Sequence, residues 1–130
     1  MNKLMLTATV LLTGMIASAQ NPYNLRANIP FEFRAGDATA AAGKYDIAKA
    51  GFNNGSHWRN TATRRGFLTG NAIRKYSTEW DSRLVFHKYG DRYFLREIHN
   101  GLDIQVMPES RAERSLRRDG EVPGVAFIQL

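Results

Sequence analysis

Residues 84–99 constrain the fold of this chain more than any other segment. Leu84 to Tyr89 and Arg92 to His99 are two β-prone runs separated only by Gly90 and Asp91, and a two-residue Gly-Asp loop is the signature of a tight β-hairpin. Pairing Tyr89 with Arg92 sets Lys88 opposite Tyr93, His87 opposite Phe94 and Phe86 opposite Leu95. One face then holds Leu84, Phe86, Tyr93 and Leu95, and the other Val85, His87, Tyr89, Phe94 and Ile98, with Arg92 and Arg96 among them. A hairpin apolar on both faces belongs at the centre of a fold, covered on two sides.

The other segments fit around it. Ala27, Ile29, Phe31 and Phe33 alternate with polar residues or proline, which predicts a half-buried strand that Pro30 confines to an edge. Gly36-Asp37 marks a turn, and 44–49 a second strand with Tyr45 and Ile47 inward. Asn53 to Ser56 is a turn around Asn-Gly. Strands are expected near 57–63 and 67–73, joined at Arg65-Gly66, followed by a polar connection over 75–82 around Trp80. The chain turns again at 100–103, and 104–107 extends briefly. Ser110 and Glu113 form a capping box that starts a helix over 111–118, stopped by Gly120. Residues 125–130 are β-prone. The predicted fold class is mainly β: a small antiparallel β-sandwich or barrel of six to seven strands with one short C-terminal α-helix.

The N-terminus has the layout of a secretory signal. Lys3 precedes an uncharged apolar stretch over 4–16, and Ala17-Ser18-Ala19 supplies the small residues of a cleavage site. Thirteen apolar residues fall short of the roughly 20 that span a bilayer, so the expectation is a signal peptide over 1–19 and no transmembrane segment in the mature chain. Residues 20–130 then form a single β-rich domain whose first part, 20–26, is an irregular arm. With no cysteine, disulfides, thiolate zinc sites, iron–sulfur clusters and a cysteine nucleophile are all excluded. The exported domain is therefore held by its apolar core or by a partner.

Four segments resemble a family of small exported β-rich proteins of unknown function found in Acidobacteria: 27–33, 42–45, 84–95 and 110–116. They bracket most of the mature chain, whereas 52–82 has no counterpart. The chain departs from the family's pattern at His99-Asn100, where a tryptophan is usual, and at 125–130, which extends past the family's final helix. The resemblance implies bacterial export, to the periplasm or beyond the cell, and a β-rich fold. It carries no assigned catalytic residue.

Candidate chemistry is sparse. In the hairpin register His87 and His99 point to opposite faces, so they share no ion, and His87 reads as a packed, hydrogen-bonded ring. Glu97 with His99, and Glu79 with Asp81, are the acid–base pairs on which a small hydrolase would have to rest. Gly36 to Lys44 fails as a phosphate loop in glycine spacing, with Tyr45 where Ser or Thr must reach magnesium. Gly55-Ser56-His57 lacks the second glycine of a nucleophile elbow. The expectation is a protein that is not an enzyme and uses no metal or cofactor.

Charge is the better lead. The formal net charge is +6, and thirteen of the eighteen basic residues are arginine, the side chain suited to bidentate carboxylate or phosphate recognition. Arg111, Arg114 and Arg118 follow a helical stripe, and Arg64-Arg65 is a second cluster. No nucleic-acid-binding motif is present, so nucleic acid is not an expected partner. The leading expectation is an envelope or extracellular binding module for a protein or acidic glycan, with Tyr89, Arg92, Tyr93 and Arg96 as contact residues and the helix arginines second. Self-association through the terminal strands 27–34 and 125–130 is the alternative.

Overall fold

Alternation of buried and exposed positions assigns most of the chain to strands, and the computed structural model describes residues 25–50, 54–101 and 103–130. In chain order these form β1 (Leu25–Ile29), β2 (Phe33–Ala35), β3 (Ala38–Ala40), β4 (Gly43–Lys49), β5 (Ser56–Asn60), β6 (Gly66–Thr69), β7 (Ile73–Tyr76), β8 (Ser82–Tyr89), β9 (Arg92–Asn100), β10 (Asp103–Val106), α1 (Arg111–Arg118) and β11 (Gly124–Gln129). The signal-like segment 1–19 and most of the expected arm, 20–24, lie outside the described residues, and Leu25 and Arg26 belong to β1 rather than to an arm. The turn expected at 53–56 lies partly outside them, and Ser56 already begins β5.

The strands make two sheets packed face to face, an open sandwich and not a closed barrel. The first runs β1-β4-β5-β6, the second β11-β8-β9-β10-β7, with β2 lying parallel beside β9 and hairpinned to β3. The expected six or seven strands become eleven because two predicted strands each divide between the sheets, β3 forms in the connection after Gly36-Asp37, and the brief extension near 104–107 is a full strand, β10. Pro30 has no N–H for a ladder, so the strand expected over 27–34 stops at Ile29 in the first sheet and resumes at Phe33 in the second. Around Asn71, which takes a φ of 55°, the strand expected over 67–73 ends as β6 at Thr69, and β7 in the other sheet takes Ile73 together with residues up to Tyr76, part of the stretch expected to be a polar connection.

Ile29, Phe33, Tyr45, Ile47, Trp58, Leu84, Phe86 and Ile98 fill the space between the sheets, all buried. Phe33 is central: its ring lies 5.7 Å from Trp58 and 5.6 Å from Phe86, one in each sheet. Trp58 stacks on Phe67 at 5.5 Å, and its indole N–H donates to Ser56 Oγ at 2.8 Å, so a fully buried polar atom is satisfied. Between the sheets, Asp103 on β10 takes Lys49 Nζ of β4 at 2.7 Å, with Arg74 of β7 at 3.7 Å.

The central hairpin forms in the expected register from Tyr89–Arg92 to Phe86–Leu95, across a loop in which Gly90 has a φ of 61°. A positive φ at the first of two loop positions is what glycine there permits. Beyond Leu95 the expectation fails. A β-bulge leaves Arg96 without a cross-strand partner, and Glu97, Ile98 and His99 pair with Val85, Leu84 and Arg83. The slip turns Ile98 to the face of Leu84 between the sheets, 3% exposed, where simple alternation had set it on the opposite face with Val85 and His87. The same slip brings His99 to the face of His87. Their cross-strand positions, Arg83 and His87, are four residues apart on β8, about 13 Å, too far to share an ion.

The outer face of the second sheet is covered in part by α1, which forms over the predicted residues. Ser110 caps it, Oγ accepting from Glu113 N at 3.2 Å. The second half of the expected capping box is missing, because the Glu113 side chain is drawn beneath the helix to the hairpin.

Candidate functional site

The four hairpin residues expected to make one contact surface are divided between faces and duties. Tyr89 is 3% exposed, its ring edge-on to Phe94 at 5.7 Å and its hydroxyl donating to Glu113 Oε1 at 3.1 Å. Burial, and then the hydrogen bond to this carboxylate, push its phenol up to about 12. Arg96, the bulge residue, donates from Nη1 to the Met107 carbonyl at 2.7 Å and ties β9 to the segment after β10. Tyr93 stands on the core-side face, stacked on Phe31 at 3.7 Å with Lys88 Nζ 5.4 Å above its ring. Arg92, on the opposite face, is exposed and lies 5.6 Å over Phe94. Only Arg92 of the four is both exposed and uncommitted to a hydrogen bond among the described residues.

Beneath α1 sits a polar node that sequence reasoning missed in this form. Glu113 is 2% exposed, and its Oε1 lies 2.7 Å from His87 Nδ1 as well as receiving the Tyr89 hydroxyl. A carboxylate only accepts, so Nδ1 carries the proton. His87 is thus the packed, hydrogen-bonded histidine expected of it. The legible signal was an acid at 113 between Ala112 and Leu116, on the apolar side of an otherwise basic helix.

Of the two candidate pairs, only Glu97 and His99 come into contact. His99 Nε2 is 3.1 Å from Glu97 Oε2; the His99 side chain is buried, with Nδ1 lacking a hydrogen-bond partner, while the Glu97 side chain is 32% exposed. Glu79 and Asp81 both turn to Arg83, at 3.6 and 3.5 Å. That is an ion-paired connection.

Basic residues gather in two places. On α1, Arg111, Arg114 and Arg118 line a shallow hollow with Ser115, while Arg117 is held by both oxygens of Glu109 at 3.0 and 2.9 Å. The larger gathering was not legible in the sequence, where only Arg64-Arg65 stood out as a cluster. A hollow of about 780 Å³ beside β1, β4 and the β5–β6 turn is lined by Arg26, Lys44, Arg59 and Arg64, with Asp46 its single acidic side chain. The register creates it: Arg26, Asp46 and Arg59 are consecutive cross-strand neighbours on three strands. Asp46 holds Arg26 Nε at 3.0 Å and Arg59 Nη2 at 3.5 Å, which sets two guanidinium groups side by side. Lys44 and Arg64 make no ion pair among the described residues. Asn28, Thr61 and Gln129 add neutral polar groups to the wall.

Arg64 is held at a φ of 59°. The other non-glycine residues with positive φ, Asn54 and Asn71, are of a type that tolerates this conformation, whereas an arginine there stores strain. No protein family, curated protein or solved structure matches the chain.

Proposed function

We propose that this protein is an exported, non-enzymatic binding module of the bacterial envelope, and that it captures an acidic glycan in the hollow lined by Arg26, Lys44, Arg59 and Arg64. The observation that carries this reading is the charge balance of the concavity: four cations surround one carboxylate that is already shared between two of them. A polymer bearing regularly spaced carboxylates supplies the missing anions, and guanidinium groups held side by side favour bidentate contact with them. Arg64 keeps a strained backbone where glycine would relieve it, which supports a role for its side chain. The signal-like N-terminus and the resemblance to exported Acidobacterial proteins support the location.

Binding of polygalacturonate, with neutral dextran as control, tests the proposal at low and near-physiological salt. Capture of the polyuronate alone, weakened by salt, is expected. The double variant K44A/R64A removes two exposed contacts and lowers affinity about tenfold. Equal binding of dextran, or an affinity unchanged in K44A/R64A, overturns the assignment.

A further inference from the structure

The outer side of the second sheet combines two features that water alone does not reward. The first is the arginine stripe. At about 100° per residue, Arg111, Ser115 and Arg118 fall on the side of α1 opposite the buried Glu113 and Arg114 on its flank, so the stripe is turned from the sheet. None of these arginines makes an ion pair among the described residues. Besides Glu113, the acidic groups between the start of α1 and β11 are Asp119 and Glu121.

The second feature is apolar. Val125 pairs with His87 and Phe127 with Val85, and directly paired residues point to one face. That face is the one α1 sits on, because His87 bonds Glu113 from beneath the helix. Val125 and Phe127 are 56% and 58% exposed, and Val122, in the link from α1, is 86% exposed. Arg83 lies 5.2 Å over the Phe127 ring, its charge already met by Glu79 and Asp81, so it adds no free cation to those of α1.

We propose that this side docks on an anionic lipid bilayer, with the arginines of α1 on lipid phosphates and Val122, Val125 and Phe127 entering the headgroup boundary. Charge complementarity selects the occupant. A soluble polyanion would engage the guanidinium groups and leave the apolar side chains in water, whereas an anionic membrane surface takes both at once. Among the described residues no helix is long and apolar enough to cross a membrane, so the contact is peripheral. The inference is independent of the glycan reading, which concerns the first sheet.

Co-sedimentation of the full chain with vesicles of phosphatidylcholine, with and without phosphatidylglycerol, tests it. Every variant keeps the same N-terminus, so any contribution from residues 1–24 is common to all. The full chain binds the phosphatidylglycerol vesicles and releases them in salt. R111Q/R114Q/R118Q weakens binding about hundredfold, at roughly fivefold per arginine. F127S weakens it about tenfold, and V122S, in the exposed link where the fold is insensitive, weakens it in the same direction. K44A/R64A leaves it unchanged. Two results overturn the proposal: equal binding to vesicles without phosphatidylglycerol, or loss of binding in the arginine variant while F127S and V122S bind as the unaltered chain does. The second marks a general polyanion patch. A concentration-dependent dimer abolished by F127S, with vesicle binding unaffected by it, assigns the apolar residues to a second copy and overturns it as well.

Discussion

Glu113 gives the sharpest test of how this fold is assembled, because one carboxylate oxygen joins the helix to the hairpin. Its side chain is 3% exposed and accepts from His87 Nδ1 at 2.7 Å and from the Tyr89 hydroxyl at 3.1 Å. Hydrogen bonds to an ionised group contribute roughly 1.5–3 kcal/mol each, and removing one partner of a buried set leaves the others unsatisfied. Glu113→Ala is therefore expected to cost about 3–4 kcal/mol, a large share of the roughly 5–15 kcal/mol that holds a domain folded. Glu113→Gln keeps the volume and one acceptor and costs about 1–2 kcal/mol. Urea unfolding followed by the fluorescence of buried Trp58, in a background where exposed Trp80 is changed to phenylalanine, measures both. The node also has a pH signature. The Tyr89 phenol is raised from 10.0 to about 12, so the folded state holds its proton longer than the unfolded chain does. That stabilisation is complete below pH 10 and is lost as pH rises towards about 12, a loss of about 2–3 kcal/mol at 1.36 kcal/mol per unit. In Glu113→Gln the phenol loses its charged neighbour and the alkaline loss shrinks. A cost below about 1 kcal/mol for the alanine variant, with an unaltered alkaline limb, refutes the claim that this node holds α1 in place.

Three further expectations follow from particular residues. Arg64→Gly relieves a positive φ and raises stability by about 0.5–1 kcal/mol in thermal unfolding, while polyuronate affinity falls; a destabilised variant means Arg64 is not strained. The hydrogen bond from Lys49 holds the Asp103 carboxyl below its usual range, so its contribution is present above the ordinary carboxylate pKa and is lost as acid protonates it; Lys49→Met should flatten the acid limb of stability against pH, and an identical limb would refute this. Deleting 125–130 removes Ala126, Ile128 and Leu130 from the margin of the core, so the truncated chain should lose its cooperative thermal transition; an intact fold in a lower oligomeric state would make β11 an assembly strand instead.

Much of the second sheet was legible before any coordinates. The Gly90-Asp91 loop, the two apolar runs around it and the α1 boundaries all depend on local chemistry, namely turn φ, alternation and capping, and each stands as read. The bulge at Arg96 was not legible. Strict alternation carried past Leu95 puts Ile98 on the face of Val85 and His87, whereas the bulge pairs it with Leu84 in the core between the sheets. The candidate site was less legible still. Arg26, Lys44, Arg59 and Arg64 come from separate segments and meet only because β1, β4 and β5 pair in the observed register.

The chain alone therefore determined the class of fold, the central hairpin, the helix, and an excess of arginine that points to acidic partners. These follow from interactions between residues a few positions apart, whose geometry the backbone dictates. The tertiary structure decided where the chain changes sheets, which face each residue beyond the bulge occupies, and which charges are spent internally. Tyr89 and Arg96 are taken up by Glu113 and Met107, while Lys44 and Arg64 make no ion pair among the described residues. The physical reason is that burial and ion pairing are won in space, between strands distant in sequence, and no local pattern records which partner wins.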